Sequence, residues 1–279
     1  QLRKLADGGL LLFPGNEESA MNYRANTYHY RQDSSFLYFF GFNQPGLAGI
    51  CDVDSGEDIL YGDDLTIEDI VWEGEKQTMK EKGQLIGVEI LRSAASFESD
   101  VKAAIKSGRK VRILPPYRGD GTIRLAQVLG TSTDKVGSFV SEAFIKAVIA
   151  LRSVKDEFEI KEIDKAVDVA SIMHTTAMKM GFAGNYEREL AGAIEGIALS
   201  HGGPVSFPII LSMDGQILHN HNHENELVDG RMVITDAGAE TALGYASDIT
   251  RTFPVGGKFS ARQRDIYQIV LDANMNAIK

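Results

Sequence analysis

Hydrophobic and polar positions change period along this chain, and each change predicts a change of architecture. Residues 9–13 form an apolar, strand-like run, 36–42 is rich in aromatic side chains, and 47–53 with 57–61 flank the turn residues Asp54, Ser55 and Gly56 as a hairpin. Around Trp72 the pattern turns to helix, strand, helix, strand. Segments 66–71, 77–83 and 97–107 carry helical spacing, and the apolar run 111–114 stops at Pro115 and Pro116, where proline cannot donate to a ladder. This pattern predicts an α/β domain over residues 1–150, near the usual domain size.

A boundary is expected near 150–155, ahead of a long amphipathic run. There Phe158, Ile160, Ile163, Val167, Ala170, Met173, His174 and Ala177 recur at helical spacing until Gly181. A second helix is expected over 186–199, with Asn185 as its N-cap and Glu187 and Glu189 placed for the helix dipole. The period then shortens, predicting strands at 205–211, 217–219, 231–236 and 245–253. A last helix opens with Ser260 and Gln263 in capping-box spacing and sets Ile266, Ile269, Val270 and Ala273 on one face. Residues 276–279 carry no stop signal. Residues 151–279 therefore read as the first part of an α+β domain cut partway through.

Composition narrows the function. With 279 residues, 43% of them hydrophobic and 24% charged, the chain is ordinary globular material with room for two domains. A net charge of -10 argues against nucleic acid, because phosphate binding needs a basic face to replace counterions. No segment approaches the roughly 18 apolar residues of a membrane span. Cys51 is alone in an apolar context, so it forms no internal disulfide and reads as a small buried hydrophobe. A cytoplasmic, membrane-free protein is the expectation.

Several patterns fail as chemistry. The run Asp52 to Asp58 begins like a calcium loop, but its glycine stands one place early and Asp63 closes it one methylene short. The glycines near Lys258 and Asp120 lack the upstream or third glycine of a phosphate or dinucleotide loop, and no Gly-x-Ser-x-Gly elbow is present.

Two aspartates remain. Asp236 ends the apolar run 232–234, followed by the small pair Ala237 and Gly238, and Asp248 opens the run 248–254. In one reading Asp236 caps a turn and Asp248 pairs with Arg251. In the other, both face one pocket and bind a metal pair, since buried aspartate is rare unless paired or metal-bound. His219, His221 and His223 alternate along a polar segment, which fits an exposed loop for the last two. His219, after Ile217 and Leu218, is expected to reach inside.

The segment from Ser206 to Ile266 resembles the Xaa-Pro aminopeptidase and prolidase family of pita-bread metallopeptidases. The resemblance rests on Leu218-His219, Asp229-Gly230, Val233 to Gly238, Gly244-Tyr245, Asp248 to Pro254, Gly257 to Phe259 and Gln263 to Tyr267. Tyr30 to Phe42 and Val71 to Gly74 resemble the creatinase/prolidase-type amino-terminal domain of that family. Arg152 to Lys155, with the helix that follows, resembles the junction between its domains.

The resemblance implies that Asp236 binds one divalent metal, that Asp248 bridges two, and that His219 lines the substrate pocket near the scissile bond. The remaining ligands of that family, one His and two Glu, lie beyond the segment matching Tyr267. Residues 1–279 alone are therefore expected to be inactive and at best a weak single-site metal binder. Oxygen-rich donors favour manganese over a thiolate-selected zinc site. The implied activity is removal of the first residue from peptides with proline second, with homodimers formed through the first domain. A dipeptide-cleaving prolidase is the near alternative, and a non-catalytic pita-bread binding module, as in histone chaperones, is the distant one. Creatinase-like amidinohydrolases lack the aspartates, and methionine aminopeptidases lack the large first domain.

Overall fold

In the computed structural model, which describes residues 1–279, the chain separates into the units Gln1–Val154 and Lys155–Lys279. In the first unit, alternation along one strand serves two cores. Leu10 and Leu12 of β1 (Leu10–Pro14) enter one apolar cluster, while Leu11 and Phe13 enter another on the opposite face. A strand buried on both faces reads as a continuous apolar run, as 9–13 does.

Strand β1 pairs antiparallel with β4 (Ala48–Asp52), which pairs antiparallel with β5 (Asp58–Tyr61). The edges β6 (Ile90–Arg92) and β7 (Val111–Arg112) add in parallel, giving the five-stranded order β6-β5-β4-β1-β7. Strands β2 (Ala20–Tyr23) and β3 (Asn26–Thr27) form a separate ribbon. Helices α1 (Leu2–Leu5), α2 (Ser34–Phe40), α4 (Met79–Ile86) and α7 (Glu142–Arg152) cover one face of the sheet. The other face is covered by α5 (Ser96–Lys106) and α6 (Gly119–Leu129). Helix α3 (Ile67–Glu73) buries no residue.

The aromatic run 36–42 is helical over most of its length. Asp33 accepts the N–H groups of Ser35 and Phe36 to start α2, and Gly41, at φ 79°, ends it in the left-handed region. Phe36 and Phe40 stack 5.1 Å apart, one turn from each other, and Gly49 of β4 leaves the space that the Phe40 ring fills.

The second unit layers two helices on a small sheet. Helix α8 (Glu157–Met180) is started by Asp156, which accepts from Phe158 and Glu159 while Glu159 caps the Asp156 N–H. Its buried positions are Ala166, Ala170, Met173, His174 and Ala177; Phe158, Ile160 and Val167, expected on the same stripe, are exposed. Helix α9 (Glu187–Ser200) begins after Tyr186 rather than Asn185. The Asn185 side chain instead donates to the carbonyl of Met180, and Glu189 accepts the Tyr186 N–H.

Strands β8 (Ile210–Ser212), β9 (Met232–Ala237) and β10 (Ile249–Pro254) form an antiparallel sheet in the order β10-β9-β8. Val233, Ala237 and Ala239 pack with Phe253 against Met173, Ala177, Leu190 and Ile194. Helix α10 (Ala261–Ile278) starts with the expected Ser260 and Gln263 capping box, and none of its residues is buried. Residues 217–219 form a turn rather than a strand, and Ile217 and Leu218 face solvent. No helix is long and apolar enough to cross a membrane.

Candidate metal centre

The strand register decides where the two aspartates lie. Asp236 on β9 stands opposite Thr250 on β10, and the same register reaches from Met232 opposite Pro254 to the bridge between Glu240 and Ala246. Asp248 therefore falls opposite Gly238, two positions from Thr250. Residues two apart on a strand share a face, so Asp236 and Asp248 are diagonal neighbours on one face, a relation that sets α-carbons roughly 7–8 Å apart. The opposite face, carrying Val233, Thr235, Ala237 and Phe253, is buried.

Each aspartate has a chain neighbour fastened to α8. The Nε2 of His174 donates to the carbonyl of Ala237 at 3.1 Å, next to Asp236. The Ser247 hydroxyl, next to Asp248, donates to the carbonyl of Ala166 at 2.9 Å and accepts the Ala239 N–H at 3.0 Å. Burial pushes the His174 imidazole below its usual pKa, against the opposing pull of the Ala237 carbonyl. Gly238 adds a close approach, because a β-carbon there would collide with the Ser247 carbonyl and the Ser206 hydroxyl. Ser206 donates to that same carbonyl at 2.6 Å.

Neither aspartate is engaged by protein. Oδ1 of Asp236 is buried and has no hydrogen-bond partner. Asp248 is exposed and forms no ion pair with Arg251, whose guanidinium donates to the carbonyl of Thr250. The turn-cap and ion-pair reading of the two residues is thus not what the chain adopts. A buried carboxylate oxygen with no donor is costly, and a hard divalent cation is a partner that such oxygens fit. The donor set is partial, however: no group of three or more His, Cys, Asp or Glu residues gathers to hold a metal ion.

The histidines behave differently from the expectation. His219 lies in a turn and is exposed, so it does not reach inside. His223 is half-buried and its Nδ1 donates to the carbonyl of Leu211 at 3.0 Å, while His221 faces solvent. The tie of Ser247 to α8 leaves no trace in local spacing. His174 carried a signal, being the one polar residue in the apolar stripe of α8.

Residues 161–279 match the model of metallopeptidase family M24, and residues 1–114 match that of the aminopeptidase P N-terminal domain. Between them the two models take in most of the chain, an M24 metallopeptidase region in the second unit and an aminopeptidase P N-terminal region in the first. It is 31% identical over 264 residues to the Xaa-Pro aminopeptidase of Escherichia coli, an overlap of 88% of this chain and 58% of that protein. With the Xaa-Pro aminopeptidase of Haemophilus influenzae it shares 30% identity over 284 residues, covering 98% and 63%. The low-pH form of Escherichia coli aminopeptidase P superposes with a TM-score of 0.81 at 27% identity, over 97% of this chain and 64% of that one. The chain thus spans less than two thirds of the length of these relatives. Its second unit carries pita-bread architecture of the M24 type, in the part that these relatives share with it.

Proposed function

We propose that the protein is a metal-dependent Xaa-Pro aminopeptidase, hydrolysing the amide bond before a proline in second position and releasing the first residue. Asp236 would hold one divalent ion and Asp248 would be a ligand to both ions of a pair, with manganese as the ion suited to oxygen donors. When bound, such a pair supplies Lewis acidity to the amide carbonyl and an activated water. The role of the chain itself is to hold the two carboxylates on one face, fastened through their neighbours to α8, and to present His219 beside the substrate. A prolyl amide has no N–H and a fixed ring, so a dedicated pocket is needed to read it.

The observation that carries this reading is the shared face of Asp236 and Asp248, with Oδ1 of Asp236 buried and unpaired. The M24 match of residues 161–279 supports it, as do relatives named Xaa-Pro aminopeptidase. A second copy of the chain is proposed as partner through the first unit, where α3 leaves Ile67, Val71 and Trp72 uncovered.

The test is hydrolysis of Ala-Pro-Ala and of Ala-Pro by the full-length protein in manganese buffer. Release of alanine from the tripeptide, abolished by orders of magnitude in Asp248→Asn, is the expected result. Cleavage of the dipeptide alone would make the protein a prolidase. A folded protein that binds no metal and cuts neither peptide would be a binding module, and the proposal would fall.

A further inference from the structure

Glu187 is fully buried at the first position of α9, and its carboxylate meets both ends of the loop that carries His219. At the start of that loop the Met213 N–H donates to Oε1 at 2.7 Å. At its end Asn225 Nδ2 donates to Oε1 and Oε2 at 3.1 and 3.2 Å. Backbone bonds run alongside: the Glu187 N–H donates to the carbonyl of Asn225 and the Arg188 N–H to that of His223, each at 2.9 Å. Asn225 also donates to Asp214, which pairs with Arg231.

Between these anchors the loop touches β8 at two points, His223 Nδ1 on the Leu211 carbonyl and Asn220 on Ser212, and is otherwise bonded within itself. Asn220 Nδ2 reaches the hydroxyl of Ser212, its Oδ1 accepts the Asn222 N–H, and Asn222 accepts the Glu224 N–H. His219 itself is exposed. A compact surface loop whose ends are drawn together is positioned by what holds those ends. A buried carboxylate satisfied by N–H donors at a helix N-terminus is a stiff fastener, because both the charge and the dipole favour it there.

We propose that Glu187 is a positioning residue: by clamping Met213 and Asn225 to one carboxylate it sets where the loop 214–224 presents His219. The carboxylate does not touch substrate; it acts through His219, and this rests on the substrate role proposed for His219 above. Glutamine in its place keeps the volume but sets an N–H2 group among donors, so the fastening loosens without a cavity.

Two measurements on the manganese-loaded, full-length protein decide the matter. In Glu187→Gln, amide exchange of residues 214–224 accelerates about tenfold while exchange in β9 holds, the size expected for one charge-assisted bond lost. The kcat for Ala-Pro-Ala falls about tenfold, and this loss disappears when the change is made in a His219→Ala background, because coupled residues are not additive. Unchanged exchange in the loop, or a loss that simply adds to that of His219→Ala, overturns the proposal. If Glu187→Gln fails to fold, Asn225→Ala, which removes the side-chain bonds from the end of the loop to Glu187 and Asp214 but leaves the Met213 bond to Glu187, is read by the same two measurements. If the wild-type protein cuts no Xaa-Pro peptide, the proposed function fails, and the exchange result alone still decides the clamp.

Discussion

The His174 imidazole donates across 3.1 Å to the carbonyl of Ala237, so the residue that follows Asp236 is fixed to the interior of α8. The carboxylate is therefore positioned by a helix remote from it in sequence. Replacing His174 by Leu keeps apolar packing and deletes the donor. The expected cost is about 1–3 kcal/mol of stability in urea unfolding, with a severalfold loss of manganese affinity by calorimetry. Unaltered affinity would show that the fastening does not reach the carboxylate.

Gly238 faces the segment that carries Asp248. In Gly238→Ala the added methyl would meet the Ser247 carbonyl, a backbone atom that cannot rotate away. Overpacking of this kind costs about 1–3 kcal/mol, and here it pushes β9 away from Asp248. Thermal unfolding and metal titration should both show the change, and a variant with wild-type values in both would contradict the close approach.

How much of this could be read from the chain depends on the range of the forces involved. The starts of α8 and α10 are local, since Asp156 and Ser260 cap amides within three residues, and their ends of the pattern were legible. Consecutive aromatics in 36–42 carry neither period by themselves, and the Asp33 cap decides for helix. Ile217 and Leu218 look like a strand by composition, yet they sit in a turn whose ends are tied to Glu187. Glu187 itself reads as a dipole-matching surface residue, and only its nonlocal partners turn it inward. The pairing of Asp236 with Asp248 on one face follows from strand alternation once the register is known; the orphaned oxygen does not.

Acid sensitivity should appear in the first unit. Arg109 bridges Asp52 at 2.6 Å and Asp54 at 2.9 Å. Burial works to raise the Asp52 pKa, but the Arg109 guanidinium and the Ser55 N–H outweigh it and hold the carboxyl below its ordinary 3.8. The Gly9 N–H and Arg109 lower Asp54 likewise. A depressed folded-state pKa means the unfolded chain binds more protons, so this stabilisation is complete above the ordinary aspartate value and is lost as pH falls through the lowered ones. Arg109→Leu should flatten the fall in melting temperature as the pH drops below about 5. An identical slope in both proteins would remove these carboxylates as the cause.

A polypeptide of residues 1–279 gathers two candidate carboxylates and no third donor beside them. Divalent oxygen sites need about six ligands, so calorimetry with manganese should show at most one weak site, and Ala-Pro-Ala should remain uncut. Two tight ions bound by these residues alone would mean that donors converge which the folded chain holds apart.

The unbroken register from β9 through the 239–246 connection to β10 also makes parity a constraint on insertions. Adding or deleting one residue there, if the turn closed by Thr241 and Tyr245 does not absorb it, slips the pairing by one and carries Asp248 to the side that faces α8. Length changes in this connection should therefore be tolerated in twos and rejected singly, whatever residues are used to make them.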